Sequence, residues 1–93
     1  MEKNVLITGA SRGIGAAAAR QFAAEGWNVA LNYRSSWDRA LALADELAGF
    51  GVKTAVLEGD VSDPSQAAAV VARAEEMGPL EALVCCAGIA LPQ

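Results

Sequence analysis

The chain has 93 residues and a mass of 9.5 kDa, room for one domain with a small core. Hydrophobic residues make up 54% and charged residues 19%, which excludes a disordered chain. The net charge of −4 argues against a protein that tracks nucleic-acid phosphates, and the absence of His excludes imidazole bases, Ser-His triads and His-ligated metals.

Residues 4–8 read as a buried strand, with Val5, Leu6 and Ile7 consecutive and Gly9 closing it. Residues 13–25 read as a helix. Ile14, Ala18 and Phe22 recur at i, i+4 and i+8 with Ala17 beside them, and Gly26 sits where the helix turns off. Residues 28–34 form a second strand. Residues 36–50 form a second helix with Ala40, Leu43, Ala44 and Leu47 on one face; Gly49 and Gly51 end it. A third strand covers residues 53–58. Asp63-Pro64-Ser65-Gln66 then opens a third helix: Asp63 caps it, Pro64 fits its first position, and Gln66 reaches back to the cap backbone. Ala67, Val70, Val71, Ala74 and Met77 line one side, and Gly78-Pro79 stops it. A fourth strand spans residues 80–86.

Strands alternating with helices of this length imply right-handed crossovers and a parallel sheet. The expected fold is α/β: the N-terminal half of a doubly wound Rossmann fold, four parallel strands in order 3-2-1-4, over a single domain 1–93. The fourth strand, apolar apart from Glu81, suits the middle of a sheet but would lie at an edge. The expectation is therefore an incomplete domain, truncated before its second half. The alternative is a self-contained four-stranded module that pairs with another chain.

Cys85 and Cys86 are adjacent, a spacing that suits neither an unstrained disulfide nor a zinc site. They are expected to be reduced, in a cytoplasmic chain. No leader peptide is recognisable after Met1, and no apolar run approaches a membrane span. Neither a membrane nor a nucleic acid is an expected partner.

The sharpest constellation is Thr8-Gly9-Ala10-Ser11-Arg12-Gly13-Ile14-Gly15, between a strand and a helix. Gly9 permits a tight exit from the strand. Gly13 removes bulk where backbone must approach a pyrophosphate, and Gly15 lets helix pack closely on strand. An anion would then sit at the helix N-terminus. No Lys-Ser or Lys-Thr pair closes the run, which excludes a P-loop.

With the preceding Thr, the Gly-x3-Gly-x-Gly spacing resembles the short-chain dehydrogenase/reductase family. Asp60-Val61 matches the family's Asp-Val that lines the adenine pocket. Cys85-Cys86-Ala87-Gly88 stands where the family has Asn-Asn-Ala-Gly. The resemblance covers essentially the whole chain. It is strongest to beta-ketoacyl-acyl-carrier-protein reductases, through the Ser-Arg-Gly-Ile-Gly turn and the stretch Asn32-Tyr33-Arg34-Ser35-Ser36. It implies cofactor contacts from Thr8, Gly9, Ser11, Arg12, Gly13, Ile14, Gly15, Asp60, Val61, Cys86, Ala87 and Gly88. The two cysteines depart from the pattern. Contacts made through backbone survive the change, while amide contacts do not, because a thiol bonds hydrogen weakly.

In dinucleotide folds an acid near the end of the second strand binds the NAD ribose diol. Here residues 32–36 hold no acid. Arg34 stands there, with Ser35 and Ser36 able to donate, and Arg12 is a second cation. That set suits a 2′-phosphate, so NADP(H) is expected over NAD(H). The missing acid also weakens a methyltransferase reading, which would want a ribose-binding carboxylate.

The resemblance further implies carbonyl reduction or alcohol oxidation, on a small carbonyl or an acyl-carrier-protein-bound 3-oxoacyl group, in a full-length homo-oligomer. That chemistry needs a Ser and a Tyr with Lys four residues later. The single tyrosine, Tyr33, has Trp37 at that spacing, and no Lys follows Lys53. No catalytic residue is assigned, and the 93-residue chain is expected to be inactive and poorly folded alone. The competing reading is a non-catalytic nucleotide-binding or interaction module.

Overall fold

A computed structural model describes residues 2–10 and 13–86. Its elements are β1 (Asn4–Thr8), α1 (Gly13–Ala24), β2 (Asn28–Tyr33), α2 (Trp37–Ala48), β3 (Thr54–Glu58), α3 (Pro64–Ala74), a 3-10 turn (Glu75–Met77) and β4 (Leu80–Cys85). The strands form one parallel sheet in the order β3-β2-β1-β4, as the sequence predicts. Every residue of β1 and β2 is buried, which is why these strands are runs of apolar side chains without polar alternation.

Two apolar layers flank the sheet. On one face Val5, Ile7, Val29 and Leu31 pack against Ala16, Ala19 and Ala23 of α1 and Leu43, Ala44 and Leu47 of α2. On the other, Leu6, Ala30 and Leu57 pack against Val70 and Ala74 of α3. The α2 face is the one its periodicity predicts. The α1 face is not. Ile14 is 69% exposed and Ala17 is exposed, while Gly15, Ala16, Ala19 and Ala23 are buried. Ala18 and Phe22 of the expected face are half-buried against the same layer, but the helix lies so close to β1 at Gly15 that small residues fill the space beneath it and Ile14 turns outward.

Helix ends follow local chemistry. Past α1, Gly26 takes φ +90°, its N–H donates to Ala23 O, and the Trp27 N–H donates to Phe22 O. The Phe22 and Trp27 rings then meet edge to face at 4.9 Å, closing the turn with an apolar contact. Asp63 caps α3 by accepting the Ser65 N–H at 2.9 Å. Gln66 differs from the expected capping arrangement. Its Oε1 reaches past the cap to accept the Asp60 N–H at 2.8 Å, and its Nε2 donates to Asp63 Oδ2 at 3.3 Å.

Buried amides fasten the strand starts. Asn28 Nδ2 donates to Asn4 Oδ1, Asn28 Oδ1 accepts the Lys53 N–H, and Asn4 Nδ2 donates to Pro79 O. These bonds tie the N-terminal ends of all four strands and leave the C-terminal ends to be shaped by loops. At the β4 edge, residues alternate between half-buried and exposed, and Leu83 is 53% exposed.

Candidate nucleotide site

The C-terminal ends of the strands gather most of the residues singled out by the sequence. Thr8 ends β1 and Gly9 follows it, Arg34 and Ser35 follow β2, Asp60 and Val61 follow β3, and Cys86 follows β4. Ser11, Arg12, Ala87 and Gly88 lie outside the described residues.

The glycine turn is built on two left-handed residues, Gly9 at φ +66° and Gly13 at φ +63°. A side chain at either would be strained. A Cβ on Gly13 would meet nothing within 4 Å, so this side of the turn is open to a ligand. Gly15 is the opposite case. Its Cβ would run into Gly9 O and would lie 2.8 Å from Ala10 Cα, all of it backbone. Helix and strand touch here with no room for a methyl group. The first turn of α1 carries no acid, so no carboxylate competes for its N–H groups. Ile14, on that turn, projects into solvent.

Thr8 anchors the end of β4. The Cys86 N–H donates to both Thr8 O (3.1 Å) and Thr8 Oγ1 (3.2 Å). These contacts use only the backbone of Cys86, so a cysteine keeps them. The paired thiols point to opposite faces. Cys86 packs against the α1–α2 layer, and burial, followed by the neighbouring Cys85, pushes its thiol pKa up. Cys85 is exposed and borders a cleft of about 270 Å³ on the α3 side, together with Thr8, Val61, Val71 and Leu83. Neither Arg34 nor the Gly13 turn lines that cleft.

Arg34 and Ser35 are exposed beyond β2. Across from them, Asp60 Oδ1 accepts from Ser62 Oγ (2.6 Å) and from the Ser62 N–H (3.0 Å). Those two bonds, and then the Arg34 charge, hold the Asp60 carboxyl below its usual range. Tyr33 is 5% exposed and stands against Trp37, ring centroids 5.7 Å apart. Burial, and then Glu58, raise its phenol pKa, with Arg73 opposing. A phenol shifted upward with no lysine partner is poorly suited to act as a proton donor and acceptor near neutral pH.

Two residues to which the sequence reading gives no role of their own, Asn32 and Gly59, hold the loops of the candidate site in place. Asn32, 1% exposed, donates through Nδ2 to Leu57 O (3.2 Å) and Gly59 O (3.1 Å). A polar residue within a fully buried strand, directly after Val29-Ala30-Leu31, is the available signal. Gly59 lies against α3, where a Cβ would come within 2.7 Å of Val70 Cγ2. Val70 is buried and stiff about χ1, so it cannot swing away. Gly59→Ala is expected to destabilise the fold by roughly 1–3 kcal/mol, an overpacking penalty. A thermal midpoint unchanged from wild type would contradict it.

A family model described as short chain dehydrogenase matches residues 3–93. The chain is 41% identical over 90 residues to the 3-oxoacyl-[acyl-carrier-protein] reductase FabG of Staphylococcus aureus (strain Mu50), covering 96% of this chain and 37% of that protein. It is 43% identical over 88 residues to an L-rhamnose 1-dehydrogenase (NAD(P)(+)) of Sphingomonas sp. (strain SKA58), covering 94% of this chain and 35% of that one. Among solved structures, a blue fluorescent protein from a metagenomic library in complex with NADPH superposes with a TM-score of 0.89 at 40% identity, over 96% of this chain and 37% of that one. The chain thus spans just over a third of the length of the relatives it matches. On its glycine turn, its strand order and these matches, the chain belongs to the short-chain dehydrogenase family.

Proposed function

We propose that the chain forms the NADP(H)-binding part of an oxidoreductase that reduces the carbonyl of a 3-oxoacyl group on an acyl-carrier protein, or oxidises the corresponding alcohol. The observation that carries the cofactor choice is Arg34. It stands exposed just past β2, and residues 32–36 contain no carboxylate. A guanidinium there can pair with a 2′-phosphate through two parallel hydrogen bonds, with Ser35 adding a donor. The pyrophosphate would lie at the open side of Gly13, before the α1 N-terminus. Asp60 and Val61 would border the adenine. Thr8 and the Cys86 backbone would hold the floor between β1 and β4. When bound, the nicotinamide supplies or takes the hydride; the described residues of this chain bind and orient.

The substrate class rests on the similarity to the Staphylococcus aureus reductase. A relative of similar identity is named for L-rhamnose, and an assay with both substrates separates the two. The proton donor is not among the residues described. Tyr33 is buried beside Trp37, with no lysine at the required spacing. The test is NADPH oxidation by the 93-residue chain with a 3-oxoacyl thioester. No turnover above the protein-free control is expected. Turnover that disappears in Gly13→Val would show that this chain carries the chemistry itself.

A further inference from the structure

Asn32 lies near the end of β2, where the three loops of the candidate site meet, and its side-chain bonds are additional to the strand ladder. Its main-chain carbonyl accepts the Ala10 N–H at 3.0 Å, which fastens the glycine turn to β2. Its side-chain Nδ2 donates to Leu57 O at 3.2 Å and to Gly59 O at 3.1 Å. The strand ladder between β2 and β3 ends with the Gly59 N–H on Tyr33 O at 3.0 Å. The Asn32 amide therefore grips the chain at the point where it leaves β3. From there the Asp60 N–H is held by Gln66 Oε1 at 2.8 Å. The segment that presents Asp60 and Val61 is thus fixed by Asn32 on one side and by α3 on the other. Arg34 and Ser35 begin two residues beyond Asn32 itself.

We infer that Asn32 is a positioning residue for the nucleotide: its buried amide sets the separation between the Asp60 loop and the end of β2, where the Arg34 loop begins and where its main-chain carbonyl holds the glycine turn. The inference rests on the nucleotide-site reading above. The chemistry favours an amide at this position. A carboxylate of the same shape would face two carbonyl oxygens, and an aliphatic side chain would leave both without this donor. A ligand that bridges all three loops gains affinity when they are held at the correct spacing before it arrives.

The experiment titrates wild-type protein, Asn32→Leu and Asn32→Ser with NADPH and with 2′,5′-ADP, well below each variant's melting midpoint. Positioning predicts a loss of roughly tenfold or more in affinity for both ligands in Asn32→Leu, the order of one well-made hydrogen bond, and a smaller loss in Asn32→Ser, which keeps one donor. A purely structural role predicts lowered midpoints with affinities within twofold of wild type, and that result overturns the inference. Should neither variant fold, the Asn32 side-chain NH₂ resonances of the wild-type protein decide. A shift on adding 2′,5′-ADP supports positioning, and unmoved resonances overturn it. A wild type that binds neither ligand overturns the nucleotide-site reading, and this inference with it. A wild type that binds, with variants that bind equally, overturns this inference alone.

Discussion

Replacing Gly15 with alanine is expected to destabilise the protein by roughly 3 kcal/mol or more, at the upper end of overpacking penalties. Elsewhere in a helix the same change would add up to about 1 kcal/mol of stability through helix propensity. Here that gain is overwhelmed. The new methyl group would meet Gly9 O and lie 2.8 Å from Ala10 Cα, and neither backbone atom can rotate away. α1 would have to lift off β1, separating Ala16, Ala19 and Ala23 from Val5 and Ile7. The glycine turn would open with it, so nucleotide binding should be lost in the same variant. Thermal melting and a nucleotide titration check both halves. A midpoint within 2–3 °C of wild type, where about 1 kcal/mol shifts it by roughly 4–8 °C, would refute the packing argument.

The second large effect is expected at Arg34. Arg34→Asp removes a cation from the proposed 2′-phosphate position and puts a carboxylate in its place. Charge-assisted hydrogen bonds contribute about 1.5–3 kcal/mol, so with repulsion added the affinity for NADPH should fall by roughly a hundredfold. Affinity for NADH should change by only a few fold, because a ribose diol can be received by a carboxylate. Arg34 and Ser35 are exposed, so the fold should be unaffected. Parallel titrations with both nucleotides test it. Equal losses for the two would mean that Arg34 does not read the 2′-phosphate.

Much of this architecture is legible in the residues themselves. The order of elements and the 3-2-1-4 sheet follow from apolar runs alternating with helical periodicity, because a parallel sheet leaves few other arrangements. The α2 face is legible for the same reason: Ala40, Leu43, Ala44 and Leu47 keep a clean period and are all buried. α1 shows where such reading fails. Periodicity weights the large side chains, so it selects Ile14 along with Phe22, and only Phe22 packs against the core. The packing instead demands the smallest ones, because Gly15 touches the β1–α1 backbone. The buried stripe consequently centres on Gly15, Ala16, Ala19 and Ala23, with Phe22 at its margin, and Ile14 is left exposed on the first turn.

The candidate site is read from residues that carry a motif, Gly9, Gly13, Arg34 and Asp60, which the sheet brings to the C-terminal ends of its strands. The residues that hold those in place are given no such role by any motif. Asn32 works through hydrogen bonds to carbonyls of a distant strand, and Gly59 through a close approach to Val70. Both depend on which loops the sheet brings together, a relation of tertiary structure that local pattern does not encode. Gln66 belongs with them: its spacing from Asp63 suggests a helix cap, yet its oxygen is taken by the Asp60 N–H.

Calorimetric titration of the wild-type chain with NADPH tests the central claim, that the loops at the C-terminal ends of β1, β2 and β3 form one NADP(H) site. The account predicts saturable one-to-one binding, tighter than for NADH by roughly tenfold or more, the share expected of a charge-assisted phosphate contact. It also predicts that NADPH binding weakens as salt is raised, since Arg34 is exposed and its attraction is screened. No saturable heat with either nucleotide, from a protein shown to be folded by its circular dichroism spectrum and cooperative melt, would contradict it.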